Sequence, residues 1–197
     1  ENAHYFSGSD LLYDVYDDMD VDLEKYNNLG SIWEALEVKY ETYSNKREIV
    51  YHLMQQIVNM FIFDIISCQY DRHSDNWEIV EDNDNINLAP IYDNEGILAT
   101  SGKNSFVAMT MDENRHDILW KVLKKFQNIS SEEFSNIIKE KLWIISEENL
   151  NRIFQRVEEK TGIEIPSVFK RYYLEEYQKH KNRLEKVLGI EENIRKR

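Results

Sequence analysis

Glycine and proline, the residues that most often interrupt regular secondary structure, are rare in this sequence. The chain has six glycines and two prolines among 197 residues. So few helix-breaking residues favour long helices. We therefore expect a mostly α-helical protein of the α+β class. The same shortage leaves little material for a glycine-rich loop of the kind that binds nucleotide phosphates.

Length, charge and cysteine content narrow the function classes. A chain of 197 residues suits one domain, 1–197, with a core of its own. The net charge of −13 repels phosphate backbones and anionic lipids, so neither nucleic acid nor a membrane is expected as a direct partner. Cys68 is the only cysteine, which excludes an internal disulfide and a multi-cysteine zinc site. A single cysteine also fits a reducing compartment, and the N-terminal residues show no signal-peptide pattern. Together these two observations predict a cytoplasmic protein.

One long helix is expected at the centre of the fold. Between residues 45 and 68, apolar side chains recur at helical spacing, and toward the end of this segment they occupy every side of the helix. The most hydrophobic stretch, 57–68, is shorter than the roughly 20 apolar residues that span a bilayer. The pattern therefore predicts a buried core helix.

The other elements follow from capping residues and short patterns. The acidic, tyrosine-rich segment 1–30 is expected to be a solvated face or loop. Segments 77–80 and 86–89 flank five turn-forming residues and predict a β-hairpin, and a short strand is expected at 106–110. Further helices are predicted at 31–40, 117–127, 131–143, 146–160 and 166–188.

A polar loop of sequence DRHSDN, residues 71–76, joins the central helix to the hairpin. Asp71 and Asn76 have the spacing D-x-x-x-x-N, and Asp93 follows the hairpin. Protein kinases use such a loop to orient the attacking hydroxyl with an aspartate, while the asparagine and a later aspartate hold Mg²⁺ against the ATP phosphates. The alternative without catalysis is a helix-to-strand connection rich in aspartate and asparagine, in which Asp71 and Asn76 only cap backbone amides.

The loop 71–76 and the downstream LAPIYD segment, 88–93, resemble the active-site signature of HipA-like kinases. The likeness covers about residues 50–96 and implies a protein-kinase-like C-terminal lobe, a helical bundle with a small hairpin at the active site. It implies ATP- and Mg²⁺-dependent phosphorylation of a serine or threonine hydroxyl on a protein substrate. The DRHxxN loop is also similar to that of phosphatidylinositol kinases, which follow it with D-F-G where this chain has Asp93-Asn94-Glu95.

The resemblance implies roles for individual side chains. Asp71 would be the catalytic carboxylate, and Asn76 and Asp93 would be the Mg²⁺ ligands that also bind the nucleotide. His73 would hold the loop in shape. Arg72 would either contact phosphate or pair with a nearby acid such as Asp75, and the sequence does not decide between the two.

A small lobe that covers the phosphates, with a glycine-rich loop and a strand-borne lysine, is not evident in the sequence. Because the chain begins at Glu1 rather than Met, we expect a truncated C-lobe with little activity of its own. A small lobe on a separate polypeptide would explain the same pattern.

The resemblance also implies a partner, because HipA-like proteins often act as toxins paired with a small antitoxin. Two other interpretations stay open. One is a non-catalytic helical protein-interaction domain, which the acidic surface and the missing phosphate loop favour. The other is a lipid kinase of the phosphatidylinositol-kinase type.

Overall fold

The fold, obtained as a computed structural model, is mostly helical in its described part and carries one small antiparallel sheet, as expected for the α+β class. The structure describes residues 3–16, 27–69, 71–82, 85–94, 124–125, 128, 130–142 and 146–187. In chain order the elements are β1 (His4–Ser7), α1 (Gly8–Tyr16), α2 (Leu29–Lys39), α3 (Lys46–Ser67), a 3₁₀ turn (Ser74–Asn76), β2 (Glu78–Asp82), β3 (Asn85–Leu88), α4 (Ser131–Leu142), α5 (Glu147–Thr161) and α6 (Ser167–Val187). The predicted strand at 106–110 and most of the predicted helix at 117–127 lie outside these residues.

The sheet has three strands in the order β1-β2-β3, so the predicted hairpin is present but is not the whole sheet. The hairpin strands pair as far as Asp82 and Asn85, which makes the turn shorter than the five residues predicted. The third strand comes from the N-terminus, where Tyr5 lies opposite Val80. Phe6 is buried and Tyr5 is exposed, the alternation expected of a strand with one face on the core.

Of the solvated face or loop predicted for segment 1–30, the loop is wrong for residues 4–16, which form β1 and α1. Tyr13 and Asp14 do lie on an exposed face of α1. Leu11 and Leu12 of α1 are fully buried in the core. Ser7 and Asp10 cap the start of α1 reciprocally, because Ser7 N donates to Asp10 Oδ2 at 2.8 Å and Asp10 N donates to Ser7 Oγ at 3.1 Å. This acid therefore stabilises a helix terminus, where the sequence pattern had indicated only solvated charge.

The N-terminal segment lies directly against the loop that follows α3. Gly8 N donates to Trp77 O at 3.0 Å, and the hydroxyls of Ser9 and Ser74 are 2.7 Å apart. A Cβ on Gly8 would lie 2.3 Å from the Trp77 ring and 2.7 Å from Ser74 O. Only glycine allows the backbone to approach this closely.

We therefore expect Gly8→Ala to destabilise the fold by about 1–3 kcal/mol, because the added methyl overpacks a buried contact. Denaturant unfolding measures the change. Gly30→Ala is the matched control, since its nearest contact, Asn28 Oδ1, is 3.4 Å away and alanine is favoured in helices. If the two variants were equally stable, the close approach at Gly8 would not be a constraint.

The central helix is confirmed at almost the predicted bounds, as α3. Asn45 and Cys68 are its end caps, and Cys68 adopts the left-handed conformation with φ 55°. By length and composition α3 is able to cross a membrane, but 67% of its most apolar window is buried inside the protein. Its apolar surface is therefore explained by core packing.

The C-terminal helices begin and end close to the predicted residues. Ser130 and Glu133 form a reciprocal capping box at the start of α4. Ser146 Oγ accepts from Asn149 N at the start of α5, and Gly162 ends that helix with φ 67°. The predictions held here because caps are local signals that do not depend on distant residues.

Helix α6 is connected to the end of α3 through a buried histidine. His180 Nε2 lies 2.6 Å from Ile65 O, and Leu184 on the same helix is fully buried in the core. Burial lowers the pKa of His180 to about 4, against the opposing effect of the hydrogen bond to Ile65. The neutral ring therefore donates from Nε2 to the Ile65 carbonyl near neutral pH.

Acidification should weaken the fold through His180. Between pH 6.5 and about 4 the unfolded chain binds a proton at this ring and the folded chain does not, so stability falls as the pH falls. The loss across this window is up to about 3 kcal/mol. We expect His180→Gln to remove this part of the pH dependence of the unfolding free energy, while the exposed His4→Gln keeps the wild-type slope. Identical slopes in all three proteins would contradict the assignment.

Candidate active site

The polar loop after α3 brings Asp71 and Asn76 together. The chain leaves α3 through the left-handed Cys68, and residues 74–76 form a 3₁₀ turn. Asn76 is buried and its Nδ2 donates to Asp71 O at 2.7 Å, whereas Asp71 itself is exposed. The side-chain amide of Asn76 therefore fixes the backbone of the residue whose carboxylate is presented to solvent.

Asp93 is joined to the same loop by Gln69. The Gln69 side chain is fully buried, and its Oε1 accepts from Asp71 N at 3.1 Å. Its Nε2 donates to Asp93 O at 3.3 Å. Asp93 is exposed and has the left-handed φ of 47°. The three predicted site residues are thus linked by hydrogen bonds through the main chain of Asp71 and Asp93.

Arg72 resolves the alternative that the sequence left open. Its side chain is fully buried and pairs with Asp64 on α3, with Nη2 to Oδ1 at 3.2 Å and Nε to Oδ2 at 3.3 Å. Asp64 is also fully buried, so the two side chains form a bidentate ion pair inside the protein. Asp75 is not its partner, and a guanidinium enclosed in this way has no exposed surface to offer a phosphate.

The same guanidinium connects the loop to the segment after β3. Arg72 Nη1 donates to Asn76 O at 2.9 Å and to Tyr92 O at 2.8 Å. Its Nη2 donates to Asn94 Oδ1 at 2.6 Å. One side chain therefore binds α3, the polar loop and both neighbours of Asp93, so it ties the chain segment around Asp93 to the loop that carries Asp71.

His73 makes the kind of contact that a loop-holding role requires. Its Nδ1 accepts from Asp75 N at 3.3 Å at the start of the 3₁₀ turn. The Tyr92 hydroxyl donates to Asp75 O at 2.8 Å from the other side. Burial, together with the acidic Glu78, raises the pKa of Tyr92 to about 12, so this hydroxyl stays protonated and remains a donor.

Three residues that support the loop were missed by sequence reasoning: Asn27, Asp64 and Gln69. Asn27 is buried, donates to Arg72 O at 2.9 Å and accepts from Trp77 Nε1 at 3.4 Å. Asn27 is far from the motif along the chain, whereas Asp64 lies within the apolar helix α3, eight residues before Arg72, and neither carries a spacing signal. Gln69 is two residues before Asp71. Only its complete burial in the structure indicates that its side-chain amide forms hydrogen bonds within the protein.

The donor set suits Mg²⁺ only if the nucleotide completes it. In the part of the chain that the structure describes, no group of three or more His, Cys, Asp or Glu side chains is arranged to hold a metal. Mg²⁺ commonly takes one or two carboxylates and completes its octahedron with water and phosphate oxygens. Asn76 Nδ2 donates to Asp71 O, so Oδ1 is the atom of this amide with the chemistry of a metal ligand.

Comparisons with protein-family models, with curated proteins and with solved structures find no match to this chain.

Proposed function

We propose that this chain is the C-terminal catalytic lobe of a HipA-like protein kinase, which uses ATP and Mg²⁺ to phosphorylate a serine or threonine hydroxyl. In this proposal Asp71 is the catalytic residue, and Asn76 and Asp93 hold the metal on the nucleotide phosphates. We also propose a protein substrate, a cytoplasmic location and a small-lobe or antitoxin partner. All of these rest on the resemblance of residues 50–96 to that family.

The observation that carries the proposal is the buried guanidinium of Arg72. A loop that only connected a helix to a strand would need backbone caps, and it would not need a buried ion pair that also binds the chain beyond the hairpin. Burying two charges is costly and contributes little net stability. Despite this cost, the buried Arg72–Asp64 pair connects the loop of Asp71 to the segment of Asp93, and both of these acids are exposed. Such preorganisation is what phosphoryl transfer requires of the protein.

The chemistry assigned to the residues follows from their positions. Asp71 has an exposed carboxylate on a fixed backbone, so it orients the incoming hydroxyl and accepts its proton at Oδ. Asn76 and Asp93 bind the cation through one amide oxygen and one carboxylate. The bound Mg²⁺ supplies charge stabilisation to the phosphates. Arg72, His73 and Gln69 keep these groups in place and do not touch the substrate.

Calorimetric titration of the full-length protein with a non-hydrolysable ATP analogue, with and without Mg²⁺, tests the proposal. We expect binding that requires Mg²⁺, and Asp93→Ala should weaken the Mg²⁺-dependent binding by at least about tenfold because it removes the only carboxylate ligand. Asp82→Ala, which removes an exposed carboxylate from the hairpin, is the matched control. Wild-type protein that binds no nucleotide would favour the non-catalytic interaction domain instead.

A further inference from the structure

We propose that Gln69 is a positioning residue that couples Asp93 to Asp71, so that occupation of the metal site and orientation of the catalytic carboxylate depend on one buried amide. The inference rests on the proposed function. It assigns a role to a residue outside the DRHxxN motif and outside the LAPIYD segment.

Gln69 is itself rigidly held. Its backbone N–H donates to Asp64 O at 2.9 Å, which ties it to the last turn of α3. Its side chain is fully buried and therefore exchanges no hydrogen bonds with bulk water. The two ends of the amide reach the backbone of Asp71 and of Asp93, at 3.1 and 3.3 Å. A fixed bridge of this kind transmits the position of one chain segment to the other.

The backbone of Asp93 needs such a bridge. Its φ of 47° lies in the left-handed region, which costs energy for residues other than glycine, although less for aspartate than for most, and contacts from neighbouring groups help to maintain it. Three hydrogen bonds hold this segment, and one of them, from Arg72 Nη2 to Asn94 Oδ1, follows Asp93. Arg72 donates to Tyr92 O before the strained residue, and Gln69 donates to Asp93 O at the residue itself. Loss of the Gln69 contact leaves the Asp93 carbonyl unanchored and frees its carboxylate to move.

An amide is the side chain that suits this position. The bridge needs a donor toward Asp93 O and an acceptor toward Asp71 N, and a primary amide supplies both. Glutamate has nearly the same shape, yet it offers acceptors only and would bring a buried charge against the Asp93 carbonyl. Methionine has similar length and offers neither function.

The test measures the Mg²⁺ concentration that gives half-maximal binding of the non-hydrolysable ATP analogue to the full-length protein. Gln69→Glu and Gln69→Met should each raise it by about 10–100-fold, the range typical for residues that orient metal ligands. Gln56→Met is the matched control. Gln56 also accepts from a backbone amide, Leu88 N at 2.7 Å, in a half-buried contact that lies beside the hairpin rather than the polar loop. Gln56→Met should lower the thermal stability of the protein and leave its Mg²⁺ dependence of analogue binding within twofold of wild type.

Nuclear magnetic resonance of the wild-type protein gives a second readout that does not depend on variants folding. Adding Mg²⁺ with the analogue should shift the side-chain amide resonances of Gln69 and leave those of Gln56 in place. If the wild type binds with Mg²⁺ but Gln69 resonances stay unchanged, or if folded Gln69 variants keep the wild-type Mg²⁺ dependence, the coupling is wrong while the kinase proposal stands. If the wild type shows no Mg²⁺-dependent binding, both are wrong.

Discussion

Replacing Asp71 with asparagine should lower phosphoryl transfer by a factor of about 10²–10⁴, which is the usual contribution of a positioned general base. Asparagine has the same shape as aspartate but cannot accept a proton at neutral pH. The Asp71 backbone makes the contacts that hold the loop, through N to Gln69 and through O to Asn76, so the substitution leaves them intact. Autophosphorylation by the full-length protein under single-turnover conditions measures the loss.

Asp75→Asn is the control for this prediction. It removes the same charge from an exposed carboxylate of the same loop, four residues away, and should keep near-wild-type transfer. Mg²⁺-dependent binding of the ATP analogue should be unchanged in both variants, because Asp71 is not a proposed Mg²⁺ ligand. Near-normal autophosphorylation by the Asp71 variant would remove this residue from the catalytic role.

Replacing Arg72 with methionine should destabilise the protein by about 3–5 kcal/mol, because it leaves the fully buried Asp64 carboxylate without a counter-ion. It also removes the donors to Asn76 O and Tyr92 O, which leaves the Gln69 bridge and the Tyr92 hydroxyl to connect the loop with the Asp93 segment. Urea unfolding with extrapolation to water measures the change.

Two further variants separate the ion pair from a general effect of losing an arginine. Arg152→Met breaks an exposed pair with Glu148 on α5 and should cost at most about 1 kcal/mol. The double substitution Arg72→Met with Asp64→Leu removes both buried charges and should recover part of the loss. If Arg72→Met were as mild as Arg152→Met, the guanidinium would not be the element that holds the site together.

The parts of the fold that the sequence predicted are those determined by local interactions. The apolar spacing of α3, the turn residues of the hairpin and the caps at Ser146 and Gly162 act over a few residues, so their patterns are readable without the fold. The loop 71–76 was found in the same way, by spacing and by its anchored flanks. These signals require no knowledge of what packs against them.

The parts that were missed depend on contacts that only the folded chain makes. Strand β1 is four residues long and is defined by pairing with β2, so nothing within 1–30 identifies it as a strand. Asp64 looks like a polar interruption of an apolar helix until the structure brings Arg72 against it. Gln69 and Asn27 likewise support the site through hydrogen bonds to backbone groups, and no spacing rule in the sequence predicts those hydrogen bonds.

The pairing of β1 with β2 also sets the order in which this site assembles during folding. His4 pairs with Glu81 and Gly8 N donates to Trp77 O, so these contacts join residues that are 77 and 69 positions apart in the sequence. Contacts of such long sequence separation form slowly, because the entropy of closing the loop is lost before the contact is gained. The α3 helix has local hydrogen bonds and is able to form first, and we expect the contacts of Gly8 and Ser9 with Trp77 and Ser74 to form later.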